Sequence, residues 1–219
     1  NVIIENGVTS IKYGAFSFCT SLTTISIPAS VNSIGDALRC VSLQAINVDS
    51  NNLTYSSIDG VLYNKNQTKI IKFPHGRSGS FVIPTSVTSI ESLAFLACPN
   101  LTGITIPSSV TSIGGDAFMG CSGLTTLTIP DGIIQINGGL CRGCTNLTSI
   151  TIPASVTSIG NFAFFECSNL SSAYFPGNAP TTFDIYSFGA CSSNFKIYYH
   201  SNKTGWTTPT WNGYLTEIY

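Results

Sequence analysis

Hydrophobic positions in this chain return on a fixed step of twenty-three. Leu101, Leu124, Leu147 and Leu170 keep that step, as do Cys98, Cys121, Cys144 and Cys167, and Pro84, Pro107, Pro130, Pro153 and Pro176 share it. Units 101–123, 124–146 and 147–169 overlay without a gap, so the period is a property of the fold rather than of composition. Within one unit, Leu147, Ile150 and Ile152 alternate with Ser149 and Thr151, the pattern of a short strand with one face inward. Pro153 ends that strand because it has no N–H to give to a ladder. Val156 and Ile159 form a second apolar pair, predicting another extended piece on the opposite side of a coil, and Gly160 permits a bend. Ala163, Phe164 and Cys167 have the spacing of a single helical or 3₁₀ turn pressing one face inward.

One coil carries about eight inward apolar groups at ~1.5–3 kcal/mol each, which does not exceed the ~1–2 kcal/mol per residue needed to order its backbone. Coils must therefore stack and share a parallel ladder with a rise of about 4.8 Å. The predicted fold is a mostly β solenoid, with one or two short strands per coil and short helical or 3₁₀ turns.

The irregular segments divide this single domain of 1–219. Residues 1–42 hold N-terminal repeats; Val2 and Ile4 align with Ile104 and Ile106, and the unit from Leu22 is shortened to 21 residues. Residues 43–80 form an irregular repeat. Leu43, Ile46 and Val48 still read as a coil strand, but the run Tyr55–Tyr63, the polar turn 64–68 and the run Lys69–Pro74 read as an inserted hairpin with a turn of about five residues. Pro74 follows Pro28 by 46 residues, two periods, which predicts that the returning strand rejoins the main sheet. Regular repeats fill 81–170, and 171–219 hold a C-terminal repeat and an aromatic cap.

The pattern L-x-x-I-x-I-P-x-x-V-T-S-I-x-x-x-A-F-x-x-C resembles the BspA-type leucine-rich repeats, known also from a treponemal repeat protein. The run from Tyr55 to Lys65 and the ending from Thr204 to Tyr214 are similar to elements that recur in that family. The resemblance implies a leucine-rich repeat solenoid in an extracellular or cell-surface protein, acting in adhesion or protein recognition on a host or bacterial surface or extracellular-matrix protein.

Charge and chemistry narrow this further. Charged residues are 9% of the chain against ~25% in an average soluble protein, and the net charge is −1, so no electrostatic footprint for nucleic acid exists. No apolar run approaches the ~18 residues of a membrane span, so no direct insertion is expected, and any targeting segment is expected to lie outside the chain. Eight cysteines invite a disulfide reading, yet stacking would place column thiols about 5 Å apart where a disulfide wants Cβ atoms at about 3.8 Å. Free buried thiols are expected, with Cys19, Cys40 and Cys191 continuing the column. Cys141 and Cys144 form a lone C-x-x-C, but Cys141 stands in the Phe118/Phe164 column and should point inward. Neither His75 nor His200 has a companion nucleophile motif, and no phosphate loop or carboxylate pair is recognisable. The expectation is a non-enzymatic, cofactor-free protein, with a monomer the plainer oligomeric state.

Three surfaces remain as candidates. Outward strand positions form a nearly uncharged hydroxyl-rich face, from which Thr105, Thr128, Thr151 and Tyr174 are the expected partner contacts. The hairpin, the only basic neighbourhood, adds Tyr63, Lys65 and Lys69, although a merely solvated hairpin is the plainer reading because Asp49 and Asp59 offset part of its charge. The C-terminal aromatics Trp206, Trp211 and Tyr214 offer an alternative function as a glycan-stacking platform, with a terminal cap as their plainer role. A passive surface spacer is the third alternative.

Overall fold

The computed structural model describes residues 1–219, and the chain winds as a solenoid of short strands. The L-x-x-I-x-I segments build its main face. Val2–Ile3, Thr24–Ile27 and Ala45–Val48 pair in parallel, Gly79–Val82 pairs with Leu101–Thr105, and Ser149–Thr151 leads through Ser172–Phe175 to Lys196–Tyr199. A bridge from Thr128 to Thr151 ties the intervening coil to this face. Val2 faces Ile25, Thr24 faces Ala45 and Ser149 faces Ser172, so the register advances by a full repeat at the first and last of these steps and absorbs the short unit at Leu22 in the second. The second apolar pair of each coil forms narrower ladders on the other side, such as Ser10–Ile11 with Ser33–Ile34, and Gln135–Ile136 with Ser158–Ile159 and Thr182–Phe183.

Side chains repeat at the coil rise. Phe73, Phe95 and Phe118 stack with centroids 5.1 Å apart at each step, and Phe164 stacks on Phe188 at 5.1 Å with rings nearly parallel. Cys141 fills the place between Phe118 and Phe164 and is fully buried. All eight thiols are free. The column thiols climb from coil to coil: Cys121 donates to the Phe95 carbonyl at 3.0 Å, Cys144 to Phe118 at 3.1 Å and Cys167 to Cys141 at 3.1 Å. Burial raises the Cys141 and Cys167 thiols far above their ordinary range, which opposes thiolate chemistry at those two positions. Cys19, expected inside, is exposed.

The expected helical or 3₁₀ turn does not form. The segment is a run of tight turns in which residues four apart take left-handed backbone angles: Leu93 and Ala97, Asp116 and Gly120, Phe162 and Glu166. Successive N–H groups then divide their work. Ala94 and Leu96 donate three residues back, to Glu91 and Leu93, while Leu93, Phe95 and Ala97 donate to Gly115, Ala117 and Met119 of the next coil. A helix would direct every donor inside its own segment; stacking claims every second one.

The insertion differs from its sequence reading in two ways. It is a three-stranded antiparallel meander of Tyr55–Ile58, Val61–Asn64 and Lys69–Lys72, with Asp59-Gly60 as a two-residue turn at positive φ that the single-hairpin reading passed over. Its last strand joins the secondary ladder, pairing Lys69 with Ser89 and Ile70 with Ile90, and not the main sheet as the Pro28–Pro74 spacing suggests. The two-period coincidence fails because the meander supplies a second-side strand and no first-side one; Gly79–Val82 takes the main-sheet place.

The meander also divides the interior. Val61 and Tyr63 belong to a large core of 42 buried residues, whereas Leu62 belongs to a core of 11 in the N-terminal coils. One strand is the wall between them. Native-state alkylation should modify Cys19 rapidly and the six buried thiols only after denaturant is added, read by mass spectrometry of proteolytic fragments; fast labelling of Cys121, Cys144 or Cys167 would contradict the stacked column.

Candidate functional site

The main sheet aligns its outward side chains into a continuous strip. Ile3 faces Ser26, Ser26 faces Asn47, Val82 faces Thr105, and Thr128, Thr151, Tyr174, Tyr198 and Glu217 follow one another across the C-terminal half. Thr105, Thr128 and Thr151 are exposed and Tyr174 is half-buried. The structure thus brings Thr128, Thr151 and Tyr174 together and sets Thr105 in the same strip. Thr128, Thr151, Ser149 and Asp131 line a shallow groove of about 440 Å³. Tyr174 stacks on Tyr198 with centroids 5.0 Å apart, and Tyr219 packs edge-on against it at 5.4 Å.

The hairpin candidates separate. Tyr63 is 1% exposed, and burial pushes its hydroxyl up to about 12, so it is a core residue and leaves the set of contacts. Its neighbour Leu62 also points inward, and the strand has no solvent face because the two cores flank it. Lys65 is exposed and its Nζ donates to the Ser50 carbonyl at 3.0 Å; Lys69 is exposed and pairs with Glu91 at 3.1 Å.

The C-terminal aromatics are spent on packing. Trp211 is buried against Phe183, at 4.5 Å between centroids, and against Trp206 at 4.7 Å. Trp206 stacks on Tyr199 at 5.3 Å and donates its Nε1–H to the Gly177 carbonyl at 3.2 Å. Tyr214 donates its hydroxyl to the Ile185 carbonyl at 2.5 Å and packs edge-on against Phe188. Ring faces engaged in this way are not presented to a sugar.

Sequence reasoning missed a cleft of about 300 Å³ between the second coil and the meander. Its wall is apolar, from Ile34, Leu62, Ile71 and Leu93, and it carries Asp36 and Lys72 inside with Lys69 and Glu91 also on its lining. Lys72 is buried, and its Nζ holds Asp36 Oδ1 at 3.3 Å and the Leu93 carbonyl at 2.9 Å. Arg39 holds the other Asp36 oxygen, Oδ2. Burial raises the Asp36 carboxyl, but the Arg39 hydrogen bond and the Lys72 charge outweigh it and the net shift is downward; burial lowers the Lys72 ammonium, and Asp36 offsets part of that. Three cations, Arg39, Lys69 and Lys72, meet two anions, Asp36 and Glu91, leaving a cationic surplus in a chain of net charge −1. The available signal was the period of two, which puts Lys72 on the same inward face as Ile70.

His75 lies buried beyond Lys72 with its Nε2 unpartnered. Burial, helped by the Lys72 charge, lowers it to about 4, so the ring is neutral at pH 7. Its folded pKa lies below the ordinary 6.5, so the unfolded chain binds the proton first as pH falls.

The profile of the BspA type leucine rich repeat region matches residues 1–78 and 73–195 in six copies. The chain belongs to this family. A search of curated proteins finds no match. Among solved structures, a leucine rich cell surface protein from Faecalibacterium prausnitzii is similar at 31% identity and a TM-score of 0.80, over 99% of this chain and 62% of that one. The pneumococcal vaccine antigen PcpA is similar in fold at 20% identity and a TM-score of 0.73, over 91% of this chain and 62% of its own. A leucine-rich repeat protein from Eubacterium ventriosum is likewise similar in fold, at 24% identity and a TM-score of 0.69, over 96% of this chain and 68% of that one. The chain thus spans less than two thirds of the first two of these proteins.

Stability should decline between pH 6.5 and 4 by about 3 kcal/mol through His75 alone, since one pKa unit is 1.36 kcal/mol. Urea denaturation across that window checks it: His75→Gln should flatten the slope, and an unchanged slope would remove His75 as its source.

Proposed function

We propose that this repeat domain is an extracellular or surface-borne binding module that recognises another protein, on a host or bacterial surface or in the extracellular matrix, and that it acts by docking rather than catalysis. The strip across the main sheet, uncharged from Thr105 to Tyr198, carries the reading. It presents hydroxyls and two stacked tyrosines on a backbone held rigid by coil stacking, so little conformational entropy is lost on docking. Tyrosine surrounded by small hydroxyl residues is favourable contact chemistry, combining large apolar area with adaptable hydrogen bonding. The cell-surface description of the Faecalibacterium protein supports the location.

Contacts centre on Thr105, Thr128, Thr151 and Tyr174, with Lys65 and Lys69 at the insertion as a flanking basic edge. The glycan alternative at Trp206, Trp211 and Tyr214 loses ground because their rings are engaged in the cap.

Immobilised extracellular-matrix proteins and purified bacterial surface proteins, screened by biolayer interferometry, provide the test. For any partner bound, Thr151→Arg and Tyr174→Ala should each weaken binding roughly tenfold or more, about 1.4 kcal/mol, with Tm unchanged for the exposed Thr151→Arg and lowered slightly for Tyr174→Ala, which loses its stacking on Tyr198. Binding indifferent to both substitutions would place recognition elsewhere and overturn the sheet-face reading.

A further inference from the structure

Within the regular array, the bonding between successive coils fails at one interface. Between the coil of Leu101 and that of Leu124 the main ladder is broken. Residues 125–129 exchange no backbone hydrogen bond with residues 101–106, whereas other interfaces carry Ile83 N–H to the Thr105 carbonyl at 3.0 Å and Ile152 N–H to that of Tyr174 at 2.8 Å. Only the Thr125 hydroxyl reaches across, to the Thr102 carbonyl at 3.5 Å. The secondary ladder is broken at the same level. Thr88, Thr111, Thr157 and Thr182 each donate a backbone N–H to the coil before, at 2.8–3.2 Å, but Ile134 does not, and Ser112–Ile113 and Gln135–Ile136 belong to separate sheets. Asn137 spans the gap with its side chain, Nδ2 donating to the Ile113 carbonyl at 2.6 Å in place of the backbone bond that Gly114 and Gly160 make at 2.8 Å. The core registers the same opening: Ile104 and Ile106 are each 9% exposed, against 2% and 1% for Ile150 and Ile152 in the same columns.

The turn edge, by contrast, is fully bonded. Asp116, Phe118 and Gly120 donate to Gly138, Leu140 and Arg142 at 2.7–2.9 Å, and Cys144 Sγ meets the Phe118 carbonyl at 3.1 Å. Two coils joined along one edge and unbonded along the other two are free to rotate about the joined edge.

The cause is local. Coils that follow their predecessor by 23 residues carry glycine after the isoleucine of the second ladder, at Gly35, Gly114 and Gly160, and depart from it only at Asn137. A Cβ at those three glycines would stand 2.9, 2.3 and 2.7 Å from the backbone nitrogens of Tyr13, Ser92 and Gly138, so a closed ladder has room there for hydrogen alone. Glu91 and Asp184 also carry side chains at this place, but their coils follow other steps, pairing Ser89 with Lys69 and Thr182 with Ser158. Asn137 brings a Cβ into a 23-residue step, and its coil stands off from Ile113 and Gly114.

We infer that this interface is a hinge, on which the coils up to residue 123 and those from residue 124 onward move as two arms about the turn edge. Opening spreads the main sheet between Thr105 and Thr128, and closing restores it. Thr105 stands on one arm and Thr128, Thr151 and Tyr174 on the other, so a partner seated across both fixes the angle between the arms and with it the curvature of the strip. That last consequence rests on the sheet-face reading; the hinge does not.

Two measurements on the whole chain without a partner test it. In hydrogen exchange followed by NMR, the amides of Ile129, Ile134 and Asn137 should exchange at least roughly a hundredfold faster than those of Ile152, Thr157 and Gly160, their bonded counterparts one coil on. Nitroxide labels at Thr85→Cys and Ser201→Cys, exposed positions on either side of the joint, report the arms by pulsed dipolar spectroscopy in a Cys19→Ser, Cys191→Ala background. The distance distribution should be broad, and Asn137→Gly should narrow it and slow exchange at position 137 roughly tenfold. Equal protection of the two sets of amides, a single narrow distribution with Asn137 in place, or indifference of both readouts to Asn137→Gly would overturn the inference. Neither measurement involves a ligand, so failure of the hinge and failure of the sheet-face reading are separate results.

Discussion

Each coil satisfies only half of the backbone groups in its own turns and leaves the rest to a neighbour. That division underlies the rest of the structure. Leu93, Phe95 and Ala97 give their N–H groups forward while Ala94 and Leu96 close turns at home, and the same alternation recurs in following coils. An unpaired backbone group buried away from water costs about 1–3 kcal/mol, so a coil can be covered by a neighbour only if that neighbour accepts the N–H groups it buries. The 5.1 Å spacing of the phenylalanine column and the thiol-to-carbonyl bonds at 3.0–3.1 Å follow from the stacking that the backbone imposes.

The same constraint explains why chemistry collects at the insertion. Where coils stack without interruption the interior is apolar and the polar groups are outside or paired. Where the third coil leaves its path, the stack is mended by side chains: Tyr55 for the Ile34 N–H, Asn52 for two carbonyls, Lys72 for the Leu93 carbonyl and Asp36. A buried lysine and a buried neutral histidine are costly in an otherwise uncharged interior, and both lie in the segment that replaces a coil.

Much of this was legible in the sequence, because a strict repeat reports one geometry many times over. The strand positions, the inward cysteine column including Cys141 and the shortened unit at Leu22 follow from it directly. Local patterns without repetition were less secure. Ala163, Phe164 and Cys167 have helical spacing, but the left-handed residues Phe162 and Glu166 and the demands of the next coil exclude a helix. Tyr63 sits in an apparently solvated hairpin and is buried because a second core lies on its far side, a fact of tertiary arrangement.

The wall formed by Val61, Leu62 and Tyr63 has a mechanical consequence. With 11 buried residues on one side and 42 on the other, the apolar interior is not continuous from end to end, and packing passes between the N-terminal coils and the long remainder across a single strand of the antiparallel meander. A change of packing among the N-terminal coils therefore reaches the long remainder by way of Val61, Leu62 and Tyr63, neighbours in sequence that face two different interiors.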